Sequence, residues 1–182
     1  MARRTHREQP AEQQQDPARQ ARDICYRLLA GRPRTRDELR TALAGKGIDP
    51  EVAEQVLGKF DQAGLIDDSD FAEMWVRSRH AYQGLGRRAL KAELLRKGVG
   101  KEIAEDAVGA LDSDAEEHRA RALVRKRLRG LQQVEETTAV RRLVGMLARK
   151  GYPEGLAYRV VREELSESGR ETGLLDEIQS SP

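Results

Sequence analysis

Hydrophobic residues recur along the chain in three copies of one pattern. With Gly47, Gly98 and Gly151 as origins, leucines lie eight and four residues before each glycine, and a lysine lies directly before it. An apolar residue directly follows each glycine, and an alanine lies six residues after it. The origins are 51 and 53 residues apart, so the chain contains an internal repeat. The repeated positions hold Leu39, Leu43, Lys46, Ile48 and Ala53, then Leu90, Leu94, Lys97, Val99 and Ala104, then Leu143, Leu147, Lys150, Tyr152 and Ala157.

The repeated positions predict two helices joined by a tight turn. Leucines four residues apart form the buried stripe of a first helix. The Lys-Gly pair is typical of a helix end, because lysine complements the helix dipole and glycine adopts the left-handed conformation. Pro50 and Pro153 suit the start of the second helix, where a backbone N–H group is not required.

A further helix is predicted before each pair, at about 18–30, 70–79 and 114–131, from the spacing of apolar residues. Strand-like alternation is absent from the sequence, and β-branched residues do not cluster. The sequence therefore predicts an all-α protein built from helical modules.

Three tandem three-helix modules account for most of the chain. We expect them to stack into an elongated, curved, solenoid-like body, because each repeat must bury its apolar face against a neighbour. Residues 1–17 and 166–182 lack the periodicity and are predicted to form a disordered N-terminal tail and a flexible C-terminal tail. The predicted modules span residues 18–64, 65–112 and 113–165.

Composition argues against a membrane protein and against an enzyme. The chain has no run of 18 apolar residues, and its basic N-terminus is not followed by an apolar segment. Its single cysteine, Cys25, excludes an internal disulfide and is expected to be a small core residue. The histidines His6, His80 and His118 lack metal-ligand spacing. We therefore expect a cytoplasmic protein, monomeric, without catalytic residues, metal or cofactor.

Charge is segregated along the chain, although the net charge is only +2. Residues 50–76 contain seven acidic residues and one basic residue, whereas residues 77–101 contain eight basic residues and one acidic. Residues 114–150 contain ten basic and five acidic residues. Such basic blocks indicate a polyanion or an acidic protein surface as the partner.

The arginines of the two basic blocks are the candidate binding residues. Guanidinium groups form paired hydrogen bonds with phosphate or carboxylate, so their abundance favours specific anion contacts over simple solubility. Glu116 and Glu117, at the start of the third long helix, are interpreted as part of a solvated face. The predicted partner-binding set is Arg77, Arg79, Arg87, Arg88, Lys91, Lys97, Arg121, Arg125 and Arg129.

The two segments at residues 65–79 and 84–99 carry a distinctive order of residues. The first reads Leu-Ile-Asp-Asp-Ser-Asp-Phe-Ala-Glu-Met-Trp-Val-Arg-Ser-Arg, and the second reads Gly-Leu-Gly-Arg-Arg-Ala-Leu-Lys-Ala-Glu-Leu-Leu-Arg-Lys-Gly-Val. This order resembles the signature region of the RecX family, bacterial regulators of the RecA recombinase, and the resemblance covers about residues 18–165.

The resemblance implies a non-enzymatic regulator in homologous recombination, DNA repair and the SOS response. Such proteins bind the RecA filament on single-stranded DNA and limit its growth. They thereby lower ATP hydrolysis, strand exchange and repressor self-cleavage. The alternative is a protein that binds DNA directly through helix-turn-helix-like modules. The scarcity of aromatic residues, 4% of the chain, argues against binding by stacking of single-stranded bases.

Overall fold

The structure is a computed structural model that describes residues 16–169 of the chain. The described residues form nine α-helices and one short 3₁₀ helix and contain no strand, so the predicted all-α class is confirmed. The 3₁₀ helix, Arg129–Leu131, directly follows the seventh α-helix. In chain order the α-helices are α1 (Pro17–Gly31), α2 (Arg36–Ala44), α3 (Pro50–Gln62), α4 (Asp68–Gln83), α5 (Arg87–Arg96), α6 (Lys101–Gly109), α7 (Ser113–Leu128), α8 (Glu136–Arg149) and α9 (Glu154–Glu167).

The chain divides into two compact units, one ending at Asp67 and the other beginning at Asp68. Unit 1 contains module 1 (α1–α3), and unit 2 contains module 2 (α4–α6) and module 3 (α7–α9). Each module buries its own apolar cluster. The tandem three-helix modules predicted from the repeat are therefore confirmed.

The helix ends differ from the predicted ones by a few residues. Helix α4 continues to Gln83 and ends where Gly84 adopts a φ of 62°. Helix α1 begins at Pro17 and α9 ends at Glu167, so both reach into the predicted tails. The tail predictions for residues 1–15 and 170–182 lie outside the described residues.

Module 1 folds around a small apolar core that includes Cys25, as predicted, with no exposed surface on that residue. Burial raises the pKa of the Cys25 thiol. Helix α2 begins with a capping box, in which the Thr35 hydroxyl accepts from Glu38 N–H at 3.1 Å and the Glu38 carboxylate accepts from Thr35 N–H at 3.4 Å. Module 1 thus supplies its own cap for its second helix.

The three repeat glycines end α2, α5 and α8 as predicted. Gly47, Gly98 and Gly151 have φ values of 74°, 77° and 85°, in the left-handed region that glycine adopts without steric cost. In each turn the residue after the glycine donates its N–H to the leucine four residues before the glycine, which satisfies a terminal carbonyl of the helix. These bonds join Ile48 to Leu43 (3.2 Å), Val99 to Leu94 (3.1 Å) and Tyr152 to Leu147 (3.1 Å).

Candidate partner-binding surface

In unit 2 the end of α8 meets the start of α5, and the two helix ends share hydrogen bonds. The N–H of Gly86 donates to the carbonyl of Lys150 at 2.8 Å, and the N–H of Arg88 donates to the carbonyl of Gly151 at 3.2 Å. Gly86 precedes α5 and provides no side-chain cap. Because terminal N–H and C=O groups lack partners within their own helices, each helix end here caps the other. We call this contact the α8–α5 junction.

Side chains of module 3 also bind the segment of chain that leads into α5. In all three hydrogen bonds a side chain of module 3 donates to a backbone carbonyl among residues 81–84. These carbonyls lie at the end of α4 and would otherwise lack a donor. The pairs are Arg119 with Ala81 (2.5 Å), Lys150 Nζ with Gln83 (2.7 Å) and the Tyr152 hydroxyl with Gly84 (3.1 Å).

The hydroxyl of Tyr152 is expected to contribute measurably to the stability of unit 2. The side chain is 1% exposed, and burial together with the nearby Glu116 raises the pKa of Tyr152, so the phenol stays protonated and donates. Tyr152→Phe should lower the free energy of unfolding by about 1 kcal/mol, because the Gly84 carbonyl loses its donor. Urea denaturation measures this change. Tyr158→Phe is the control, since the Tyr158 hydroxyl has no hydrogen bond within residues 16–169; equal midpoints for the two variants would contradict the assignment.

Glu116 is buried, at 2% exposure, so the interpretation of this residue as part of a solvated face is wrong. One carboxylate oxygen accepts the backbone N–H of Arg87 at 3.0 Å, and the other lies 3.3 Å from the Arg87 guanidinium. Arg87 also donates to the carbonyl of Leu111 and, at 3.2 Å, to the hydroxyl of Ser113. The start of α5 therefore packs on the start of α7, and Arg87 joins modules 2 and 3.

Two of the predicted arginines on α7 bind carboxylates of module 3 itself. The hydrogen bond that Arg121 donates to the Glu117 carboxylate, with a second to Glu163, raises the pKa of Arg121. Arg125 is half-exposed, and its Nε lies 2.6 Å from the buried Glu164. These ion pairs hold α7 against α9. The other N–O distances are Arg121 to Glu117 (2.7 Å), Arg121 to Glu164 (3.6 Å) and Arg125 to Glu167 (3.2 Å).

Three predicted residues of module 2 contact neighbours within that module. The Arg79 guanidinium and the Lys97 ammonium each lie 4.3 Å from the centre of the Trp75 ring, which is attractive for a cation over an indole. Lys91 Nζ lies 2.6 Å from Glu105 and so connects α5 to α6. These cations retain partial exposure, but each already has a partner.

The remaining predicted residues, Arg77, Arg88 and Arg129, have exposed side chains. Within residues 16–169 these three guanidinium groups form no hydrogen bond or ion pair. The structure does not gather the nine predicted residues at one place. Arg125 and Arg129 line a hollow of about 540 Å³ in module 3, whereas Arg88 lies in a different groove.

Arg88 lies in a groove of about 630 Å³ between α5 and α8. Two further arginines line it, Arg96 and Arg149, which the sequence prediction omitted. Both are exposed and lack an ion pair with any residue in the described range. The repeat carries a signal for them, because Arg88 and Arg96 occupy the same repeat positions as Arg141 and Arg149. The lining of this α5–α8 groove consists of Leu85, Arg88, Ala89, Ala92, Glu93, Arg96, Ala148, Arg149 and Gly151.

The chemistry available on this surface is anion binding. Exposed guanidinium groups can each form two parallel hydrogen bonds with a carboxylate or phosphate. Across residues 16–169, no group of three or more His, Cys, Asp or Glu side chains is arranged to hold a metal ion. No helix in the same range is both long and apolar enough to cross a membrane.

Comparison with known proteins identifies the three modules individually. The RecX first three-helix domain matches residues 21–60, the second matches residues 67–108, and the third matches residues 115–161. The regulatory protein RecX of Amycolatopsis mediterranei is 58% identical over 159 residues, which cover 87% of this chain and 91% of that protein. The regulatory protein RecX of Streptomyces coelicolor is 50% identical over 166 residues, covering 91% of this chain and 88% of that protein.

Solved structures share the fold. The crystal structure of RecX from Lactobacillus salivarius matches with a TM-score of 0.77 and 21% identity, over 82% of this chain and 97% of that one. A second crystal structure of a regulatory protein RecX matches with a TM-score of 0.74 and 22% identity, over 81% of this chain and 72% of that one. Since all three domains match in order and the relatives align over most of the sequence, this chain belongs to the RecX family.

Proposed function

We propose that this chain binds the RecA filament on single-stranded DNA and limits its growth, without being an enzyme. The observation that carries the proposal is the match of all three domains to RecX, together with relatives named regulatory protein RecX at 50% and 58% identity. Lower RecA ATPase, strand-exchange and coprotease activities follow from a shorter filament. We further propose that the protein acts as a monomer in the cytoplasm, where direct contact with DNA can supplement contact with RecA.

The exposed arginines support this proposal physically. Arg77, Arg88 and Arg129 belong to modules 2 and 3 and have no partner within residues 16–169 that would compete with an acidic surface. Several modest contacts on one ligand multiply, since each contact after the first forms at high effective concentration. A filament offers the same binding surface on successive protomers and is therefore a suitable multivalent ligand.

The decisive experiment titrates the protein into a RecA ATPase reaction on single-stranded DNA. We expect inhibition at amounts well below one molecule per RecA, because limiting growth requires action on few protomers. Binding of the protein to the same DNA without RecA is measured in parallel at two salt concentrations. Strong, salt-sensitive DNA binding without inhibition would replace this proposal with that of a direct DNA-binding protein.

Charge reversal tests the exposed members of the predicted binding set. The triple variant Arg77→Glu, Arg88→Glu, Arg129→Glu is expected to need about tenfold more protein for half-inhibition of the ATPase, because each attraction becomes a repulsion. The matched control reverses three exposed cations of unit 1, in Arg27→Glu, Lys46→Glu, Lys59→Glu. Circular dichroism checks that both variants are folded. Equal potency of the two triple variants would remove these arginines from the binding surface.

A further inference from the structure

One row of residues occurs in both modules of unit 2. Ten, six and two residues before the repeat glycine, α5 carries Arg88, Ala92 and Arg96, and α8 carries Arg141, Gly145 and Arg149. Residues four apart lie on one helix face, so each helix has two arginines flanking a small residue. The same positions of module 1 hold Asp37, Thr41 and Gly45. The row is thus a property of modules 2 and 3.

The α8–α5 junction brings the two rows together. The end of α8 abuts the start of α5. Arg149, the last arginine of the α8 row, and Arg88, the first arginine of the α5 row, therefore lie at the two helix ends that meet. Arg88, Arg96 and Arg149 all line the α5–α8 groove. Arg96 lies eight helical positions after Arg88, which is about 12 Å along the axis. The groove is therefore bordered by cations at intervals that match two helical turns.

The positive charge of the α5–α8 groove is not neutralised by the described chain. Its three arginines are exposed and form no ion pair within residues 16–169. Its one acidic residue, Glu93, accepts from Trp75 Nε1 at 2.8 Å and lies 3.3 Å from Arg79 Nε, so its charge is already paired. An anionic ligand would thus meet three uncompensated guanidinium groups.

The uncharged lining of the groove distinguishes between two kinds of anionic partner, a protein with carboxylates and a nucleic acid with phosphates. Leu85, Ala89, Ala92 and Ala148 provide small aliphatic surface between the arginines. No aromatic side chain lines the groove, so it has no platform on which a nucleobase could stack. Because these side chains are small, the backbone of a protein partner can approach closely and bury its own aliphatic side chains against them. The arginines beside them can then bind carboxylates of that partner.

We propose that the α5–α8 groove binds an acidic, amphipathic segment of a protein partner, with aliphatic side chains on the alanine floor and carboxylates on Arg88, Arg96 and Arg149. This inference rests on the proposed function and names the chemistry of the contact on the RecA filament. It assigns the arginines to protein carboxylates, with nucleic-acid phosphate as the competing outcome.

Site-directed photo-crosslinking tests the occupant in the full-length chain. Ala92→Cys places a thiol in the groove, and a benzophenone maleimide labels it selectively because the single native cysteine, Cys25, is fully buried. Thr41→Cys is the control, since Thr41 is exposed at the same repeat position of module 1. Each labelled protein is irradiated with RecA filaments on single-stranded DNA, and the adducts are identified by mass spectrometry.

We expect the label at position 92, and not that at position 41, to attach to a RecA segment containing several Asp or Glu residues. Adding Arg88→Glu, Arg96→Glu and Arg149→Glu should reduce the yield of that adduct about tenfold. Adducts with DNA, adducts with a non-acidic segment, or no adduct would each overturn the assignment. If the unaltered chain does not inhibit RecA, the proposed function fails together with this inference; if it inhibits without the expected adduct, only the groove assignment fails.

Discussion

Replacing Gly151 with alanine is expected to destabilise unit 2 by about 3–5 kcal/mol. Part of this cost is the left-handed backbone, since Gly151 has a φ of 85°. The larger part is steric, because a Cβ atom would lie 2.2 Å from the backbone nitrogen of Ala89 and 2.5 Å from its Cβ. Relieving that overlap requires α8 to move away from α5, which breaks the hydrogen bonds from Gly86 and Arg88 at the α8–α5 junction.

Gly98→Ala is the matched control for this prediction. Gly98 occupies the same repeat position with a φ of 77°, and its backbone takes no part in the hydrogen bonds of the α8–α5 junction. The left-handed strain at this position is expected to cost about 1–2 kcal/mol. The single tryptophan, Trp75, lies in unit 2, so its fluorescence during urea denaturation reports on that unit. Equal losses of stability for the two variants would show that the α8–α5 junction contributes nothing.

Glu116→Ala is expected to lower the free energy of unfolding of unit 2 by about 2–4 kcal/mol. The substitution leaves two groups of Arg87 without their partner: the backbone N–H at the start of α5 and the guanidinium. The Arg87 side chain is 31% exposed, so water recovers part of the loss, and the estimate lies below that for a fully buried ion pair.

Glu117→Ala is the control for the Glu116 substitution, because it removes a carboxylate from the next position of the same helix. Glu117 pairs with Arg121 and Arg159 in a more exposed setting, where ion pairs contribute little. Thermal unfolding followed by Trp75 fluorescence compares the two variants. A melting temperature for Glu116→Ala as high as that for Glu117→Ala would refute the role assigned to the buried carboxylate.

Much of the fold could be predicted from local patterns of residues in the sequence. Leucines four residues apart, followed by Lys-Gly, predict a helix and its end, and Gly47, Gly98 and Gly151 do end helices in the left-handed conformation. Each of these signals acts within a few residues of chain. The module count and the positions of the turns were therefore predictable without any knowledge of tertiary contacts.

The contacts between modules 2 and 3 were not predictable, because their partners are distant in sequence. Gly86 pairs with Lys150, and Arg87 with Glu116, and nothing local separates these residues from others of the same type. Glu116 and Glu117 are adjacent and chemically identical, yet one is buried at the contact of two modules and the other faces the arginines of its own module. Tertiary packing decides between them.

The candidate site was predictable only in part for a related reason. Counting arginines by blocks selected Arg121 and Arg125, whose carboxylate partners on α9 lie about 40 residues further along the chain. The internal repeat predicts the exposed arginines better than the charge blocks do. Comparing positions across modules selects Arg96, Arg141 and Arg149 alongside Arg88, and all four are exposed.

The α8–α5 junction also has a consequence for which of the three modules can be exchanged without the others. Helix α2 has its own capping box from Thr35 and Glu38, so module 1 is self-sufficient at that point. The equivalent helix of module 2, α5, has no cap from its own N-cap residue, Gly86, and obtains its acceptors from Glu116, Lys150 and Gly151 of module 3. A gene rearrangement that lost or replaced module 3 alone would leave α5 uncapped. We therefore expect modules 2 and 3 to be kept together in any rearrangement of the gene that leaves module 2 folded.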